Sequence, residues 1–523
     1  MITIGVRYTV KTKTMNANSI QKNAGGTPGL SGALSVIRSI LKGRQIFVAG
    51  GPVRDILLGR PVKDIDLVME KGALESAEAA ASALGGTLVI LHEEEEVARV
   101  VLKEGAIFDF SSFRGKSRTI EGDLAMRDFT INAMAVPLEL FGSFGQGSIE
   151  GLIDPFGGLA DLQSRLIRAV RSENIVSDPL RMVRAFRFQA ELEFTIEDET
   201  YALIEDNARL IERSAPERIS RELDIMMASD GAGDAVKQMY RCGLLPVIIP
   251  EIRELEGVDQ PGFHHLDVLN HCFEAVSCMD RLCADPAIKF HEPDPLRQWL
   301  TEHDGQIHML KWAALFHDFG KPARKGVRPD GRVTFYEHDR HGAEQAKAIG
   351  RRLRWSRHQT EFVFRLVRLH MRPFHLLGDF IKGRLTKRAM RRLLRDTGGD
   401  YPALFLLAMA DSMAGAGPLK PKDLDEQLAR LFSRIHAFYL DHVKPIEQAP
   451  RLITGKDVMK ELGIGPGPVV GRLLEAVEAA RMDGRVGSSQ EALELVKRLG
   501  ARLLEGGADP DQAGGQPDEE AES

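Results

Sequence analysis

Cysteine is scarce in this chain: it has four cysteines among 523 residues, and no two of them form a Cys-x-x-Cys pair (Cys242, Cys272, Cys278 and Cys283). This argues against a disulfide framework and a thiolate zinc site, and it is typical of a protein in a reducing cytosol. Long apolar runs are also missing, since even the Ala403–Ala410 run ends directly at Asp411. No stretch approaches the length of a membrane span, so we expect a cytoplasmic protein without a membrane partner.

An excess of positive charge is absent as well, because the formal net charge is −6. Net charge is a poor guide to nucleic-acid binding, which depends on where basic residues cluster. One cluster consists of Arg351, Arg352, Arg354 and Arg357. A second cluster falls mostly on one helical stripe and consists of Lys382, Arg384, Lys387, Arg388, Arg391, Arg392 and Arg395. Both a solvated helix face and a surface that follows phosphates fit this stripe.

Two aspartates lie close together near the start of the chain. Gln45–Ala49 predicts a short buried strand, and Lys63–Met69 alternates apolar and polar residues, which predicts a second strand with Asp64 and Asp66 on one face. Two adjacent carboxylates repel each other unless a cation lies between them, and Mg²⁺ bound by two carboxylates and substrate phosphates is the usual solution. Alone, such a pair is also typical of an exposed strand edge.

The residues around this pair favour phosphate binding. Gly50 and Gly51 lack a Cβ, so their backbone can approach a triphosphate closely, and Arg54 can reach phosphate oxygens. The second strand of a predicted hairpin, Ala106–Ser111, carries Asp109. We interpret Asp109 as the catalytic base or third metal ligand, which receives the proton of an attacking hydroxyl.

Five motifs in a fixed order give a specific resemblance. They are Gly50-Gly51-Pro52-Val53-Arg54-Asp55 with Asp64-Ile65-Asp66, Arg127-Asp128-Phe129-Thr130-Ile131-Asn132-Ala133, Asp178-Pro179-Leu180-Arg181 continuing to Phe188, Glu217-Arg218-Ile219 with Glu222-Leu223, and Leu452-Ile453-Thr454-Gly455-Lys456-Asp457 continuing to Gly471. Together they resemble class II tRNA nucleotidyltransferases and bacterial poly(A) polymerases. Each motif is modestly specific, whereas the ordered set is strongly so.

The resemblance implies an enzyme that adds CCA, or part of it, to the 3′ end of tRNA from CTP and ATP without a nucleic-acid template. It implies that Asp64 and Asp66 hold magnesium and that the glycine turn and Arg54 contact the nucleotide. Contacts to base or phosphate are implied for Arg127, Arg181, Arg184 and Arg187. A salt-bridged helix surface is the alternative interpretation of the last two.

Nucleotide choice is expected to depend on Asp178 and Arg181. One helical turn apart, they direct an acceptor and a fork of donors into the same space, which can pair with both cytosine and adenine. The chain departs from the family pattern at Ser177, where glutamate is frequent, and in the short segment from Arg114 to Arg127. In the family this segment is a flexible loop implicated in switching from cytidine to adenosine. Its shortness makes a CC-adding enzyme an alternative, and poly(A) polymerase is another.

Histidines and aspartates in the second half of the chain form another pattern. His317-Asp318 lies at the end of an apolar helix, and imidazoles and carboxylates from separate helices can gather around one or two transition metals. The pattern resembles the HD phosphohydrolase superfamily, which implies a divalent transition metal and hydrolysis of cyclic or terminal phosphates. The expected ligands are His271, His317, Asp318, His338, His370 and Asp411, whereas His264, His265 and His341 are expected outside the cluster.

Two alternatives concern this HD pattern. One is a degenerate HD fold that serves packing or RNA docking. The other is a phosphohydrolase whose first domain only holds RNA, although RNA holding would not require the paired aspartates Asp64 and Asp66.

The chain is too long for one hydrophobic core and is expected to hold several domains. We predict an α+β fold: a small mixed α/β nucleotidyltransferase head followed by an all-helical neck, body, HD domain and tail. The expected ranges are 30–165 for the head, 166–260 for a helical neck and RNA-binding region, 261–417 for the HD domain and 418–505 for a helical RNA-binding tail. Residues 1–29 and 506–523 are expected to be disordered. The expected partners are tRNA or other RNA 3′ ends, CTP and ATP.

Overall fold

The computed structural model describes residues 29–62, 64–115, 117–145, 148–482 and 484–505. Apart from Gly29, the two terminal segments expected to be disordered lie outside the described residues. The chain divides into two compact units, residues 1–226 with 235–250 and residues 227–234 with 251–523. All four cysteines are free thiols in the structure. None of the described helices is both long and apolar enough to cross a bilayer.

A six-stranded mixed sheet forms the centre of the head. Its strands are β1 (Ile46–Ala49), β2 (Asp64–Met69), β3 (Thr87–His92), β4 (Val97–Val101), β5 (Ile107–Ser112) and β6 (Ala135–Pro137). The strand order is β3-β4-β5-β2-β1-β6, and only the pairing of β2 with β5 is parallel within this described sheet. The two predicted strands and the predicted hairpin are confirmed.

Five helices accompany this sheet: α1 (Leu30–Ile40), α2 (Gly51–Leu57), α3 (Ala73–Leu84), α4 (Ile120–Leu124) and α5 (Gly158–Ser164). The turn from β1 into α2 is at Gly50, whose φ of 80° lies in the left-handed region that favours glycine. A Cβ at this position would lie 2.4 Å from Nη1 of Arg127, so a side chain here would displace the Arg127 guanidinium. The glycine therefore allows the strand, the turn and Arg127 to come together.

The rest of the first unit and the connection to the second are mostly helical. A two-stranded parallel pair, β7 (Leu166–Ile167) and β8 (Thr195–Ile196), accompanies the helices. These helices are α6 (Ser172–Ser177), α7 (Leu180–Leu192), α8 (Asp198–Asn207), α9 (Pro216–Ala228), α10 (Ala232–Arg241) and α11 (Leu244–Ile248).

The second unit is helical except for a short hairpin. Its elements up to the predicted tail are α12 (Val268–Ala284), α13 (Asp294–Glu302), α14 (Ile307–Phe316), α15 (Lys321–Arg324), β9 (Gly326–Val327), β10 (Val333–Thr334), α16 (His338–Arg352), α17 (Arg357–Leu369), α18 (Arg372–Ile381), α19 (Lys387–Thr397) and α20 (Tyr401–Ala414). Nearly every residue of α20 is buried, which is the burial expected of a helix that is apolar on all sides.

The last helices are α21 (Leu424–Phe438), α22 (Lys444–Gln448), α23 (Gly455–Leu462), α24 (Pro468–Met482) and α25 (Ser489–Glu505). The final three enclose a small apolar core that includes Val458, Leu473, Val477 and Val496. The predicted fold class is confirmed: one small mixed sheet in the head, then helices. The domain boundaries given above stay predictions.

Candidate active site

Three carboxylates lie on one face of the head sheet. Asp64 and Asp66 are two residues apart on β2, and Asp109 on the parallel neighbour β5 is in register with Asp66. Burial raises the pKa of Asp66, and the charges of Asp109 and Asp64 raise it further, although Arg127 opposes them. Because every donor is a carboxylate oxygen and the charges repel, this group suits a hard divalent cation.

Arg99 holds Asp109 from the adjacent strand β4. Its Nε and Nη2 atoms donate to the two carboxylate oxygens of Asp109, each at 2.8 Å. Arg99 was not among the predicted site residues, although the hairpin places residues 99 and 109 opposite each other, where side chains pair across strands. The role of Asp109 as base or third metal ligand stays a prediction.

A cavity of about 640 Å³ lies beside these strands, and Asp66 is part of its wall. Eight arginines and four carboxylates line it among the described residues: Arg54, Arg114, Arg127, Arg181, Arg184, Arg187, Arg218 and Arg221, with Asp66, Asp128, Asp178 and Glu222. Eight cations less four anions leave four formal positive charges in the wall. Such a lining is complementary to the phosphates of a nucleotide.

The glycine turn borders this cavity, and its contact with a nucleotide stays a prediction. Gly51 and Arg54 both line the cavity. Arg54 is oriented by Nη1, which donates to Asn132 Oδ1 at 2.8 Å, and its guanidinium lies over the ring of Phe188. Gly50 acts from behind the cavity wall, because it makes room for Arg127.

The segment between β5 and Arg127 is folded back by a buried carboxylate. Asp123 is fully buried and accepts hydrogen bonds from Nη1 of Arg114 at 3.0 Å and from Nε of Arg127 at 3.3 Å. The short helix α4 that carries Asp123 is capped by Thr119, whose hydroxyl accepts from Gly122 N. Asp123 was not predicted as a site residue. Its contacts join the two ends of the segment, Arg114 and Arg127, and no local sequence pattern indicates this.

Asp178 is not part of the helix in which it was predicted. It lies between α6 and α7, with φ −130° and ψ 86°, because the residue before a proline, here Pro179, is sterically kept out of the helical region. Its Oδ2 nevertheless lies 3.9 Å from Nε of Arg181. Nη2 of Arg181 donates to Met126 O, whereas Nη1 is buried and has no hydrogen-bond partner in the described part of the chain. A buried donor of this kind favours a ligand acceptor.

Arg184 and Arg187 take part in ion pairs within the cavity wall. Arg184 lies 2.7 Å from Asp128, and Arg187 lies 2.8 Å from Glu222. Burial would raise the pKa of Asp128, but the Arg184 guanidinium and the hydrogen bonds from Asn132 and from Phe129 N together hold that pKa below its usual range. Both arginines therefore form salt bridges in this structure, as in the alternative interpretation. Their contact with a nucleotide stays a prediction. Asp128 and Glu222 were not predicted as site residues, although both lie inside the quoted motifs.

The second unit brings all six expected HD ligands together from separate helices. Nε2 of His271 lies 3.2 Å from Nε2 of His317 and 3.1 Å from Oδ1 of Asp411. Nε2 of His338 lies 3.1 Å from Nε2 of His370. Asp318 joins the two groups, with Oδ2 3.2 Å from His317 and Oδ1 3.4 Å from His338.

The orientation of these imidazoles fits metal binding. Nδ1 of His317, His338 and His370 each donates at 2.7 Å to the carbonyl oxygen three residues earlier. In a neutral ring this leaves the lone pair on Nε2, so the facing Nε2 atoms of His338 and His370 repel each other unless a cation lies between them. Burial, together with the neighbouring His338, lowers the pKa of His370 to about 3. Nitrogen and carboxylate donors together suit a divalent transition metal.

The structure corrects the expectation that His264 lies outside this cluster. Ligand atoms of His264, His271 and Asp411 all lie within 4.8 Å of one another, and Nδ1 of His264 is buried without a hydrogen-bond partner among the described residues. His265 instead accepts a hydrogen bond from Ala416 N. The order of two adjacent histidines in a loop does not reveal which one turns inward.

A larger cavity, about 1180 Å³, opens over the HD cluster and is lined in part by Asp318, His338 and Asp411. Its outer wall carries both aromatic and cationic side chains from the described residues: Phe263, Phe335, Tyr336 and Phe374, with Arg328, Arg332 and Lys420. Nζ of Lys321 lies 2.5 Å from Oδ2 of Asp318. This wall can accept both an apolar ring and an anionic group.

Four family models match the chain in succession. They are the Poly A polymerase head domain over residues 46–168, the probable RNA and SrmB-binding site of polymerase A over 193–255, the HD domain over 268–413 and tRNA nucleotidyltransferase domain 2 over 427–496. With the carboxylates of β2 beside an arginine-lined cavity, they define the class: a metal-dependent nucleotidyltransferase that also carries an HD domain.

Two similar proteins cover almost the whole chain. An A-adding tRNA nucleotidyltransferase of Deinococcus radiodurans is 35% identical and covers 86% of this chain and 94% of its own. A CC-adding tRNA nucleotidyltransferase of Thermus thermophilus is 32% identical, with 91% and 97% covered. The solved Thermotoga maritima CCA-adding enzyme, complexed with tRNA, supports the fold at 23% identity and a TM-score of 0.51, covering 89% of this chain and 93% of that one. The chain belongs to the tRNA nucleotidyltransferase family, and the predicted family and enzyme class are confirmed.

Proposed function

We propose that this chain adds two cytidines to the 3′ end of tRNA from CTP, without a nucleic-acid template. The observation that carries the proposal is the short segment from Arg114 to Arg127. The buried carboxylate of Asp123 holds both of its ends, through a buried ion pair with Arg127 and a partly exposed one with Arg114. The resemblance to class II tRNA nucleotidyltransferases implies that a longer and flexible segment at this place takes part in the change from cytidine to adenosine. A segment fixed at both ends favours one nucleotide only, which is consistent with the named activities of both the Thermus and the Deinococcus relatives. The short segment favours C over A, because the longer form is the one implicated in the change to adenosine.

The residues of the head divide the chemistry between them. Asp64 and Asp66 would hold Mg²⁺, which, when bound, activates the attacking hydroxyl and stabilises the leaving pyrophosphate. Asp109 would receive the proton of the RNA 3′ hydroxyl, and its bidentate pair with Arg99 fixes its direction. Arg54 would bind the triphosphate beside the glycine turn, with the excess positive charge of the cavity wall around it.

Base selection would depend on Asp178 and Arg181. Cytosine offers an amine donor beside a ring-nitrogen acceptor, and these match a carboxylate and a guanidinium. The buried Nη1 of Arg181, which lacks a partner among the described residues, supports this assignment. Arg218, 3.5 Å from Asp178, holds the carboxylate in place.

The test uses three tRNA substrates, ending before the CCA sequence, after its first C, and after its second C. Each is incubated with purified protein and CTP, ATP or both, and the products are resolved at single-nucleotide length. We expect two additions to the first substrate, one to the second and none to the third. Addition of A to the third substrate without C addition would assign the activity named for the Deinococcus relative instead, and addition to all three would assign complete CCA synthesis.

We propose a second activity for the HD cluster, hydrolysis of 2′,3′-cyclic or terminal phosphates with a divalent transition metal. The convergence of four histidine Nε2 atoms on Asp318 and Asp411 supports it. The test measures release of phosphate from 2′-nucleotides and opening of 2′,3′-cyclic nucleotides, after removal of metal and after addition of Mn²⁺, Co²⁺ or Ni²⁺. We expect activity only with added metal. Its absence with every ion would assign the cluster a packing role.

A further inference from the structure

A surface of the second unit carries far more positive charge than its surroundings. Residues 372–398 include eight basic and two acidic residues, a local charge of +6 in a chain whose net charge is −6. We call the following residues the α19 basic surface: Arg372, Lys382, Arg384, Lys387, Arg388 and Arg392. The position of this charge, on α18, α19 and the turn between them, requires a physical explanation.

Helix α19 has two different sides. Met390, Leu393, Leu394 and Thr397 are buried against the rest of the unit. The basic residues lie on the opposite side, where the side chain of Arg392 is 63% exposed. This side is therefore accessible over the first half of the helix and in the turn before it, where Arg384 is 65% exposed.

Few acidic groups neutralise this surface. Asp379 lies 3.7 Å from Arg384, and Asp396 lies 3.7 Å from Arg392 while also pairing with Arg395. Lys387 and Arg388 form no ion pair with any of the described acidic residues. On α18, Arg372 is partly buried, and Arg392 is close enough to oppose its charge. Its Nε atom has no hydrogen-bond partner within the described ranges.

The first turn of α19 opposes the electrostatics of the helix. Lys387 and Arg388 stand at the positive end of the helix dipole, where acidic residues are favourable and cations are not, and this turn contains no acidic residue. Helix stability therefore does not explain their placement. Cations that repel one another and the helix end are favourable once a polyanion covers them.

We propose that the α19 basic surface binds phosphates of the tRNA during nucleotide addition. The proposal rests on the proposed function, because tRNA is the polyanion that this activity brings to the protein. The exposed cations of α19 and of the turn before it have no fixed partner for a base edge, so we expect them to bind phosphates, and phosphate contacts are independent of RNA sequence.

The test compares wild type with the double variant Lys387→Gln/Arg388→Gln. Filter binding of a tRNA without its CCA end, with no nucleotide added, is measured at several salt concentrations. We expect roughly tenfold weaker binding at 0.1 M salt and a salt slope reduced by roughly 0.7–0.9 for each phosphate that the variant no longer neutralises. The melting temperature should stay unchanged or rise, since two cations leave the positive helix end. A matched control, Arg297→Gln/Arg340→Gln, removes two exposed charges of the same unit and should bind as wild type.

Three outcomes would overturn the proposal. The first is equal loss of affinity in the test and control variants, which would indicate a general charge effect. The second is unchanged tRNA affinity with lost binding to phosphatidylserine vesicles, which would assign the surface to lipid. The third is unchanged tRNA affinity and salt slope. Because no nucleotide is present, a wild-type protein that adds A in place of CC would contradict the proposed function and leave this inference standing.

Discussion

The two candidate sites both gather carboxylates, yet they surround them with different partners. In the head, Asp66 shares one face of the sheet with Asp64 and Asp109, and the balancing charges are arginines. In the HD cluster, Asp318 is surrounded by imidazole nitrogens. Oxygen donors alone suit Mg²⁺, whereas nitrogen and oxygen together suit a transition metal. Donor type, more than charge, separates the two chemistries.

The pKa values of Asp66 and Asp318, one carboxyl from each site, are shifted in opposite directions. Burial and neighbouring carboxylates raise the pKa of Asp66. Burial would also raise the pKa of Asp318, but His317 and Lys321 outweigh it and hold that pKa well below its usual range. Asp318 and Asp411 in turn raise the pKa of His317 to about 10 against the effect of burial. The HD cluster thus contains its own balancing cations, whereas the head carboxylates depend more on an added one.

Removal of a head carboxylate is expected to give the largest effect, and it tests whether nucleotide addition and hydrolysis use separate sites. Asp64→Ala or Asp66→Ala should reduce nucleotide addition at least about a thousandfold, because several kcal/mol of charge stabilisation are lost and each tenfold corresponds to about 1.4 kcal/mol. Folding, tRNA binding and metal-dependent hydrolysis should persist. Asp206→Ala, exposed on α8, is the matched control. Undiminished incorporation by either variant would remove these residues from the metal site.

The reciprocal change is Asp318→Ala. Because Asp318 belongs to both groups of candidate ligands, hydrolysis should fall at least about a hundredfold and the bound transition metal should be lost. Nucleotide addition should be unaffected, since it uses other residues. Asp330→Ala, on the exposed hairpin turn of the same unit, serves as the control. If addition collapses in folded Asp318→Ala protein, the two sites are coupled.

Local patterns carried most of what the sequence could predict. Asp64 and Asp66 are two residues apart, so strand periodicity alone places them on one face. Cross-strand pairing would also have led to Arg99, had the hairpin register been used. Asp178 was misplaced because the helical period was extended across Pro179, which prevents it.

Contacts between distant residues could not be predicted in this way. Arg184 meets Glu222 across 38 positions and Asp128 across 56, so no periodicity shows that its charge is already matched. His264 turns toward the HD cluster through the path of a loop, which depends on packing. The candidate HD ligands were predicted because they follow the sequence order of the HD superfamily. Only the structure shows that their side chains meet at one place.

A smaller effect concerns selectivity in the head, for which the HD cluster has no equivalent. Asp178→Ala and Arg181→Ala should each lose selectivity against UTP and GTP by about one to two decades, because mismatched groups in a desolvated pocket cost about 1–3 kcal/mol. Steady-state incorporation of all four nucleotides measures this, with Ser177→Ala as a neighbouring control. A uniform decrease with unchanged selectivity would show that the base is recognised elsewhere.

The smallest expected effect concerns the opposite pKa shifts of Asp66 and Asp318, measured as protein stability after treatment with a chelator. A carboxyl whose pKa is raised on folding destabilises the fold once pH exceeds its unfolded value near 3.8, so Asp66→Asn should stabilise the head at pH 7 and lose this advantage toward pH 4. Asp318 has the opposite sign: its lowered pKa contributes stability above 3.8 that is lost as pH falls, so Asp318→Asn should destabilise the HD unit at pH 7.

Hydrogen exchange of peptides from β2 and from α14 to α16 separates these two effects within one protein. We expect changes on the order of a few-fold, slower exchange around β2 in Asp66→Asn and faster exchange around α14 in Asp318→Asn. Adding back Mg²⁺ should slow exchange at β2 in wild type but not in Asp66→Asn, because the variant lacks the charge that the cation balances. Changes of the same sign in both variants would contradict the opposite pKa shifts of Asp66 and Asp318. They would mean that neighbouring cations compensate the charge of both carboxylates to the same extent.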